Sequence, residues 1–293
     1  MFWERLLLTL GMIKFEHSVF ALPFALTGAL LAWRMQGFPR DGAVEKLVWI
    51  VVAMVTARSA AMAFNRLLDA EIDGANPRTK GREIPAGKLS KRFTWAFLFA
   101  MSFAFIFAAG ALGRLCFYLA LPALMILFFY SFTKRFTHYS HLVLGFALGV
   151  APAAAWIAVT GALDPRILWL TAAVTFWTAG FDIIYACQDV DFDRSAGLYS
   201  LPKRFGVSRA LTISRGLHGL MLSCLVLLVI GFGLGRLSWA AVVGVAALLV
   251  YEHSLVKPHD LSRVNAAFFT VNGYVSLLFF AFLAADVWWS VNL

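Results

Sequence analysis

About nine stretches of roughly twenty apolar residues run through this chain, at 18–36, 47–69, 93–112, 115–133, 141–160, 167–186, 209–233, 237–256 and 264–288. A helix of that length crosses a hydrocarbon layer about 30 Å thick. Within lipid, only helices and closed barrels satisfy their own backbone groups, and runs this long read as helices. The expected fold class is all-α: a polytopic membrane protein, a bundle of about nine transmembrane helices. No Pro/Ser-rich linker or low-complexity segment interrupts the sequence, so residues 1–293 are expected to form a single domain.

Composition agrees. Only 14% of the 293 residues are charged, against roughly 25% in soluble domains. The net charge of +9 could suggest nucleic acid in a soluble protein. Here basic loops against anionic lipid account for it, so the expected partner is membrane lipid and no nucleic acid. Nine spans put the termini on opposite sides. The side holding 1–17, 70–92, 134–140, 187–208 and 257–263 carries fifteen Lys and Arg, and the other side six. The positive-inside rule turns the richer side to the cytoplasm, and the expected location is a bacterial cytoplasmic (inner) membrane. Cys116, Cys187 and Cys224 are scattered, with neither metal-ligand spacing nor a disulfide framework.

Two polar motifs stand out against this background. Asn65, Asp69 and Asp73 recur every four residues at the end of the second apolar run. On a helix that spacing stacks them on one face, neighbours about 5–6 Å apart. Tyr185, Asp189 and Asp193 repeat the pattern about 120 residues later, on the same predicted side of the membrane. Paired carboxylates repel unless a cation lies between them. Oxygen donors suit Mg²⁺, which takes one or two carboxylates together with substrate phosphate oxygens. Either motif alone could be a solvated helix end; two on one face point to a diphosphate held through Mg²⁺. Glu71, Gln188 and Asp191 lie off these faces, while Asp182, deeper in its helix, is retained as a candidate site residue.

Cations follow each motif: Arg78, Lys80 and Arg82 the first, Arg194, Lys203 and Arg204 the second, with Lys134 and Arg135 ending helix 4 on the same side. Arginine grips phosphate oxygens with a fixed fork and keeps its charge. For each of these cations, simple anchoring to anionic lipid is an equal alternative. Arg58 lies within helix 2, where it would meet a substrate carboxylate or pair with Asp182. His138 and His141 read as interfacial polar residues. The paired motifs and their following loops also hint at duplication of a four-helix unit. An ion-coupled transporter would place its acidic residues nearer the bilayer midplane.

The segments NRLLDAEIDGANPRTKGREIPAG, YSFTKRFTHYSHLVLG and DIIYACQDVDFDRSAGLYSLPKRFG resemble, in order and spacing, the UbiA superfamily of intramembrane prenyltransferases. The resemblance covers nearly the whole chain. It implies nine helices around a central cavity open to the bilayer, with two Asp motifs binding diphosphate through Mg²⁺. Asn65, Asp69 and Asp73 would then serve one metal, and Asp189 and Asp193 the other. Lys134 or Arg135 and Tyr185 fall where the family places groups facing the diphosphate or the allylic cation. The implied substrates are a polyprenyl diphosphate and an aromatic acid acceptor. Within the family the chain is similar to 4-hydroxybenzoate polyprenyltransferases of ubiquinone synthesis. GREIPAG, ARSAAMAFNR and MIKFEHSVFALPFAL look more like the enzymes that prenylate 1,4-dihydroxy-6-naphthoate for menaquinone by the futalosine route. The resemblance therefore leaves the acceptor open between the two.

Overall fold

A computed structural model describes residues 2–14, 18–38 and 41–291. Among the described residues the regular structure is helical, apart from a lone bridge between Lys257 and Asp260. In chain order the α-helices are α1 (Phe2–Met12), α2 (Ser18–Met35), α3 (Ala43–Leu68), α4 (Ala70–Ala75), α5 (Lys91–Leu112), α6 (Arg114–Thr133) and α7 (Ser140–Thr160). They continue with α8 (Leu168–Ala186), α9 (Val190–Ser195), α10 (Leu201–Phe205), α11 (Val207–Gly231), α12 (Arg236–Leu255) and α13 (Asn272–Val291).

Eight helices among the described residues are long and apolar enough to cross a membrane, and Ala21–Met35 in α2 is a shorter apolar helix. Together they correspond to the nine expected spans. Three features depart from the sequence reading. Residues expected as a leading loop form α1, because the apolar LLLTLGM turn can be buried: Met12 and the following Ile13 sit in a core. The helical face expected to carry each acidic motif is also interrupted: α3 ends at Leu68 and α8 at Ala186, where the apolar runs end, and a short separate helix carries each second aspartate. Finally, a π-helix, Ala266–Val271, leads into α13.

The chain folds into two compact units, Met1–Ser18 with Val44–Phe132, and Val19–Ala43 with Thr133–Leu293. In the first, Ala60 and Ala63 of α3, Leu98 of α5 and Leu124 of α6 pack with Met12, Ile13, Ala70, Ile84 and Leu89. The last two come from the connection between α4 and α5. Ser90 begins α5 by accepting the Phe93 amide at 3.2 Å, a side-chain cap for an otherwise orphaned donor. Trp95, Phe99, Phe103 and Phe107, spaced by four along α5, are exposed and give that helix an apolar outer stripe.

In the second unit α8 is central, flanked by α7 and α11, while α12 packs on α13. Lipid tails are as apolar as leucine, so helices in a membrane associate through close packing at small residues. A Cβ built on Gly145 would fall on the Thr175 carbonyl, and one on Gly149 on the Thr175 hydroxyl and Thr171 carbonyl. The two glycines therefore let the α7 backbone lie directly against α8. At the start of α12, Asp286 accepts from the Gly235 and Leu237 amides and from the Ser238 hydroxyl. A carboxylate at a helix N-terminus satisfies free N–H groups and opposes the helix dipole. Outside the spans, the Arg166 guanidinium beside Asp164 holds that carboxyl below its ordinary range.

Candidate functional site

In the first unit, the helix pauses at Asp69, whose backbone (φ −94°, ψ 4°) separates α3 from the six-residue α4. The four-residue register survives the pause: the Asp69 amide bonds the Asn65 carbonyl at 2.9 Å and the Asp73 amide bonds the Asp69 carbonyl at 2.7 Å. Asn65 donates from Nδ2 to Asp69 Oδ2 at 3.0 Å and to Ser131 Oγ at 3.5 Å. Both carboxylates are buried, Asp69 at 1% exposure and Asp73 at 4%. A buried carboxylate demands a partner. For Asp73 it is Arg82, whose Nη1 reaches Oδ1 at 2.6 Å and Oδ2 at 2.7 Å. Thr79 fastens the same loop by donating to the Asp73 carbonyl at 3.0 Å. Arg78 is exposed, its amide accepted by Asn76 Oδ1 at 2.9 Å. Arg58 lies partly buried two turns before Asn65.

Arg66 was not anticipated. It is buried, donates from Nε to the Met12 carbonyl at 3.3 Å, and brings Nη1 to 3.9 Å from Asp73 Oδ2. Its spacing is the signal that could have found it, since seven residues separate Arg66 from Asp73 and helical residues seven apart share a face.

The second unit repeats the local design. After α8 a 3₁₀ turn, Cys187–Asp189, brings Asp189 to φ −105° and ψ 8°, and the six-residue α9 follows. The first aspartate of each motif thus has nearly the same backbone conformation, between a long helix and a six-residue one. That region of φ/ψ space is sparsely used and is where many active-site residues sit. The second aspartate of each motif occupies the fourth position of its short helix and is buried. Ser200 donates to Asp193 Oδ2 at 2.7 Å and also caps α10 by accepting the Lys203 amide at 3.3 Å.

The basic residues after this motif separate in role. Lys203 donates from Nζ to the Leu198 carbonyl at 2.5 Å and lies 5.4 Å above the Tyr199 ring. Arg194 pairs with Asp191 at 3.6 Å on an exposed surface, where ion pairs contribute little. Lys134 and Arg135 are partly buried just beyond α6, and the Lys134 carbonyl accepts the Tyr199 amide at 2.8 Å.

Tyr185 belongs to an aromatic group: its ring centroid is 4.3 Å from Phe268 and 6.2 Å from Phe269. Both phenylalanines come from the π-helix. Asn272 holds that helix, sharing its Nδ2 among Glu252 Oε1 and the Ala267 and Phe268 carbonyls at 3.1–3.2 Å. Its Oδ1 accepts from Trp177 Nε1 of α8 at 2.7 Å. π-turns recur at functional sites; nothing in a hydropathy pattern marks them. His141 differs from its expected interfacial role. It is buried, with Nδ1 2.7 Å from Asp182 Oδ2.

Each unit therefore presents hard oxygen donors at a helix break, and such donors fit Mg²⁺ in a site completed by phosphate oxygens. Among the described residues no three His, Cys, Asp or Glu side chains converge as a complete protein cage.

The fold and the paired acidic breaks define an integral membrane protein of the helical, two-aspartate-motif class. The chain belongs to the UbiA prenyltransferase family, whose sequence model matches residues 21–285. It is 30% identical over 243 residues to a 4-hydroxybenzoate octaprenyltransferase of Vibrio campbellii, covering 83% of this chain and 84% of that one. The fold matches the apo structure of a UbiA homologue from Aeropyrum pernix with a TM-score of 0.83 and 32% identity, covering 92% of this chain and 98% of that one. It also matches a UbiA homologue from Archaeoglobus fulgidus bound to GPP and Mg²⁺, with a TM-score of 0.74 and 21% identity over 96% and 99% of the two chains.

Proposed function

We propose that this protein transfers a polyprenyl group from a polyprenyl diphosphate to a hydroxylated aromatic acid of the 4-hydroxybenzoate type, releasing diphosphate, in quinone biosynthesis. The observation that carries the reading is the matched pair of acidic helix breaks, at Asp69 and Asp189, in a chain of this family. The name of the Vibrio relative supports the acceptor. The family model spans both units, which supports a single prenyltransferase domain over residues 1–293.

Asn65, Asp69 and Asp73 would hold one Mg²⁺ and Asp189 and Asp193 another. When bound, the metal offsets charge growing on the diphosphate as the allylic C–O bond breaks. Arg82 meets Asp73 through Nη1, which leaves the rest of its fork for phosphate oxygens. Arg78, Lys134, Arg135, Arg194 and Lys203 add positive charge on that side of the membrane. Tyr185 turns an aromatic face toward the carbon that becomes electron-poor. Arg58 meets the acceptor carboxylate. The polyprenyl tail lies among apolar helices and runs into lipid. In the bacterial cytoplasmic membrane the basic loops, and both motifs with them, face the cytoplasm.

The resemblance of ARSAAMAFNR and GREIPAG to enzymes of the futalosine route favours a second acceptor, 1,4-dihydroxy-6-naphthoate, for the same reaction. Membranes carrying the protein, supplied with Mg²⁺ and GPP, should release diphosphate and form prenylated product with one of these two acids. Asp69→Ala and Asp189→Ala should each lower transfer by at least about a hundredfold while the protein stays in the membrane. Wild-type transfer by either variant, or activity surviving excess EDTA, would refute the assignment.

A further inference from the structure

Prenyl transfer to an aromatic ring releases one proton, which needs an acceptor. When the aromatic ring joins the allylic carbon, the attacked ring carbon still holds its hydrogen, and aromaticity returns only when that proton leaves. We propose that Asp182 accepts it, with His141 as its positioning residue. The inference rests on the proposed prenyl transfer.

Asp182 lies on α8 three residues before Tyr185, a spacing that keeps the two on one side of the helix. Asp189 closes the 3₁₀ turn that follows α8, so Asp182 lies roughly 10 Å from it along the chain's helical path, with Tyr185 between. A diphosphate held at Asp189 puts its allylic carbon one step inward, and the ring attacking that carbon lies further in, at the level of Asp182. Phe181, Ile183 and Ile184 around it are buried, yet the Asp182 side chain keeps 20% exposure. Its helix neighbours enclose it while one edge stays open.

His141 fixes which edge. The Leu201 amide donates to His141 Nε2 at 3.4 Å, so that nitrogen carries no hydrogen and the ring proton resides on Nδ1. Nδ1–H then donates to Asp182 Oδ2 at 2.7 Å. Leu201 begins α10, directly after Ser200, which holds Asp193. The backbone turn that secures the second motif therefore also sets the histidine tautomer. Asp182 Oδ2 is committed to His141, and Oδ1 makes no hydrogen bond among the described residues.

The allylic C–O bond breaks with its pair leaving on the diphosphate. The ring carbon ortho to the hydroxyl supplies a pair to form the C–C bond. That carbon's C–H bond then breaks, its pair restoring the aromatic ring and its proton passing to Asp182 Oδ1. Water on the exposed edge removes the proton before the next turnover. Nothing is oxidised or reduced.

The test uses membranes carrying the full chain, Mg²⁺, GPP, and 4-hydroxybenzoate or 1,4-dihydroxy-6-naphthoate bearing hydrogen or deuterium ortho to the hydroxyl. The expected wild-type result is a rate insensitive to ring deuterium. Asp182→Asn should lower transfer about a hundredfold or more, the range of a lost general base. It should introduce a marked ring-deuterium effect and leave the KM for GPP unchanged. His141→Ala should introduce the same isotope effect more weakly, and His141→Asn, whose amide can still donate to Asp182, should partly restore the rate. Monodisperse elution in detergent checks that each variant folds. Wild-type transfer in Asp182→Asn, or slowed transfer insensitive to ring deuterium, overturns the proton role while the prenyltransferase reading stands. A wild type that forms product with neither acid overturns both.

Discussion

Gly145→Ala tests the link between packing and site most directly. Gly145 lies one turn from His141 on α7, and Thr175 and Ala179 lie two turns and one turn from Asp182 on α8. An added Cβ would meet the Thr175 carbonyl oxygen, its carbonyl carbon and the Ala179 amide nitrogen, all backbone atoms that no rotamer change can move away. Carbon–oxygen contacts settle near 3.3–3.6 Å, so α7 and α8 must separate locally by about 1 Å. Overpacking of this kind costs about 1–3 kcal/mol. The 2.7 Å contact between His141 and Asp182, one turn away, would open beyond 3.5 Å and be lost. A hydrogen bond to a charged group contributes about 1.5–3 kcal/mol more, so the combined loss is about 2.5–6 kcal/mol. Thermal unfolding of the detergent-solubilised protein, read by monodisperse elution after heating, should show a midpoint several degrees lower, with prenyl transfer falling in parallel. Gly219→Ala is the control: its Cβ would meet nothing within 4 Å, and alanine is favoured over glycine in a helix by about 1 kcal/mol. A Gly145→Ala protein with an unchanged midpoint and normal transfer would refute the reasoning, for it would mean that the two backbones are not in contact.

Two further outcomes follow from single side chains. Asn272→Leu should destabilise the second unit by more than about 2 kcal/mol, because it leaves the Trp177 indole N–H and the Glu252 carboxyl buried without their partner; a melting midpoint within a degree of wild type would contradict this. Asp164→Asn should lower the midpoint near neutral pH, since the charged form bonds Arg166 and its carboxyl is held below its ordinary range. That contribution is present above the unfolded carboxylate value and is lost as pH falls through the depressed folded one. The gap between variant and wild type should therefore narrow as pH is lowered from about 7 to about 3, and a constant gap would refute it.

The spans and the acidic motifs were legible because each obeys a strong one-dimensional rule. An apolar run long enough to cross lipid has few other uses, and Asp69/Asp73 and Asp189/Asp193 mark helical faces by spacing alone. The helix breaks at the first aspartates were not legible: at Asp69 the i→i−4 bonding resumes on the far side in the same register, and at Asp189 the break is a single 3₁₀ turn. Arg66 escaped notice as an ordinary cation near a helix end, although burial ties it to Asp73. His141 and Asp182 stand 41 residues apart, so only the contact of α7 with α8 reveals them as a pair. The same holds for Trp177 and Asn272, whose bond joins residues 95 positions apart. Local pattern encodes faces and lengths; partnerships between helices emerge only when backbones approach closely enough for small residues to matter.

The π-helix at Ala266–Val271 has one more consequence. Such a turn is an α-helix that has absorbed one extra residue, and its bonds run i→i+5 in place of i→i+4. Removing a single residue there would let the backbone relax into an uninterrupted α-helix. At 3.6 residues per turn, the change swings everything on one side of the deletion by about 100° relative to the other. Phe268 and Phe269 would leave the Tyr185 ring, while α13 kept its apolar length and its place in the hydropathy profile. The segment works as a vernier: chain length, counted to one residue, decides which way the aromatic wall is aimed. Relatives that differ by one residue here can share every named motif and still offer the allylic group a different surface.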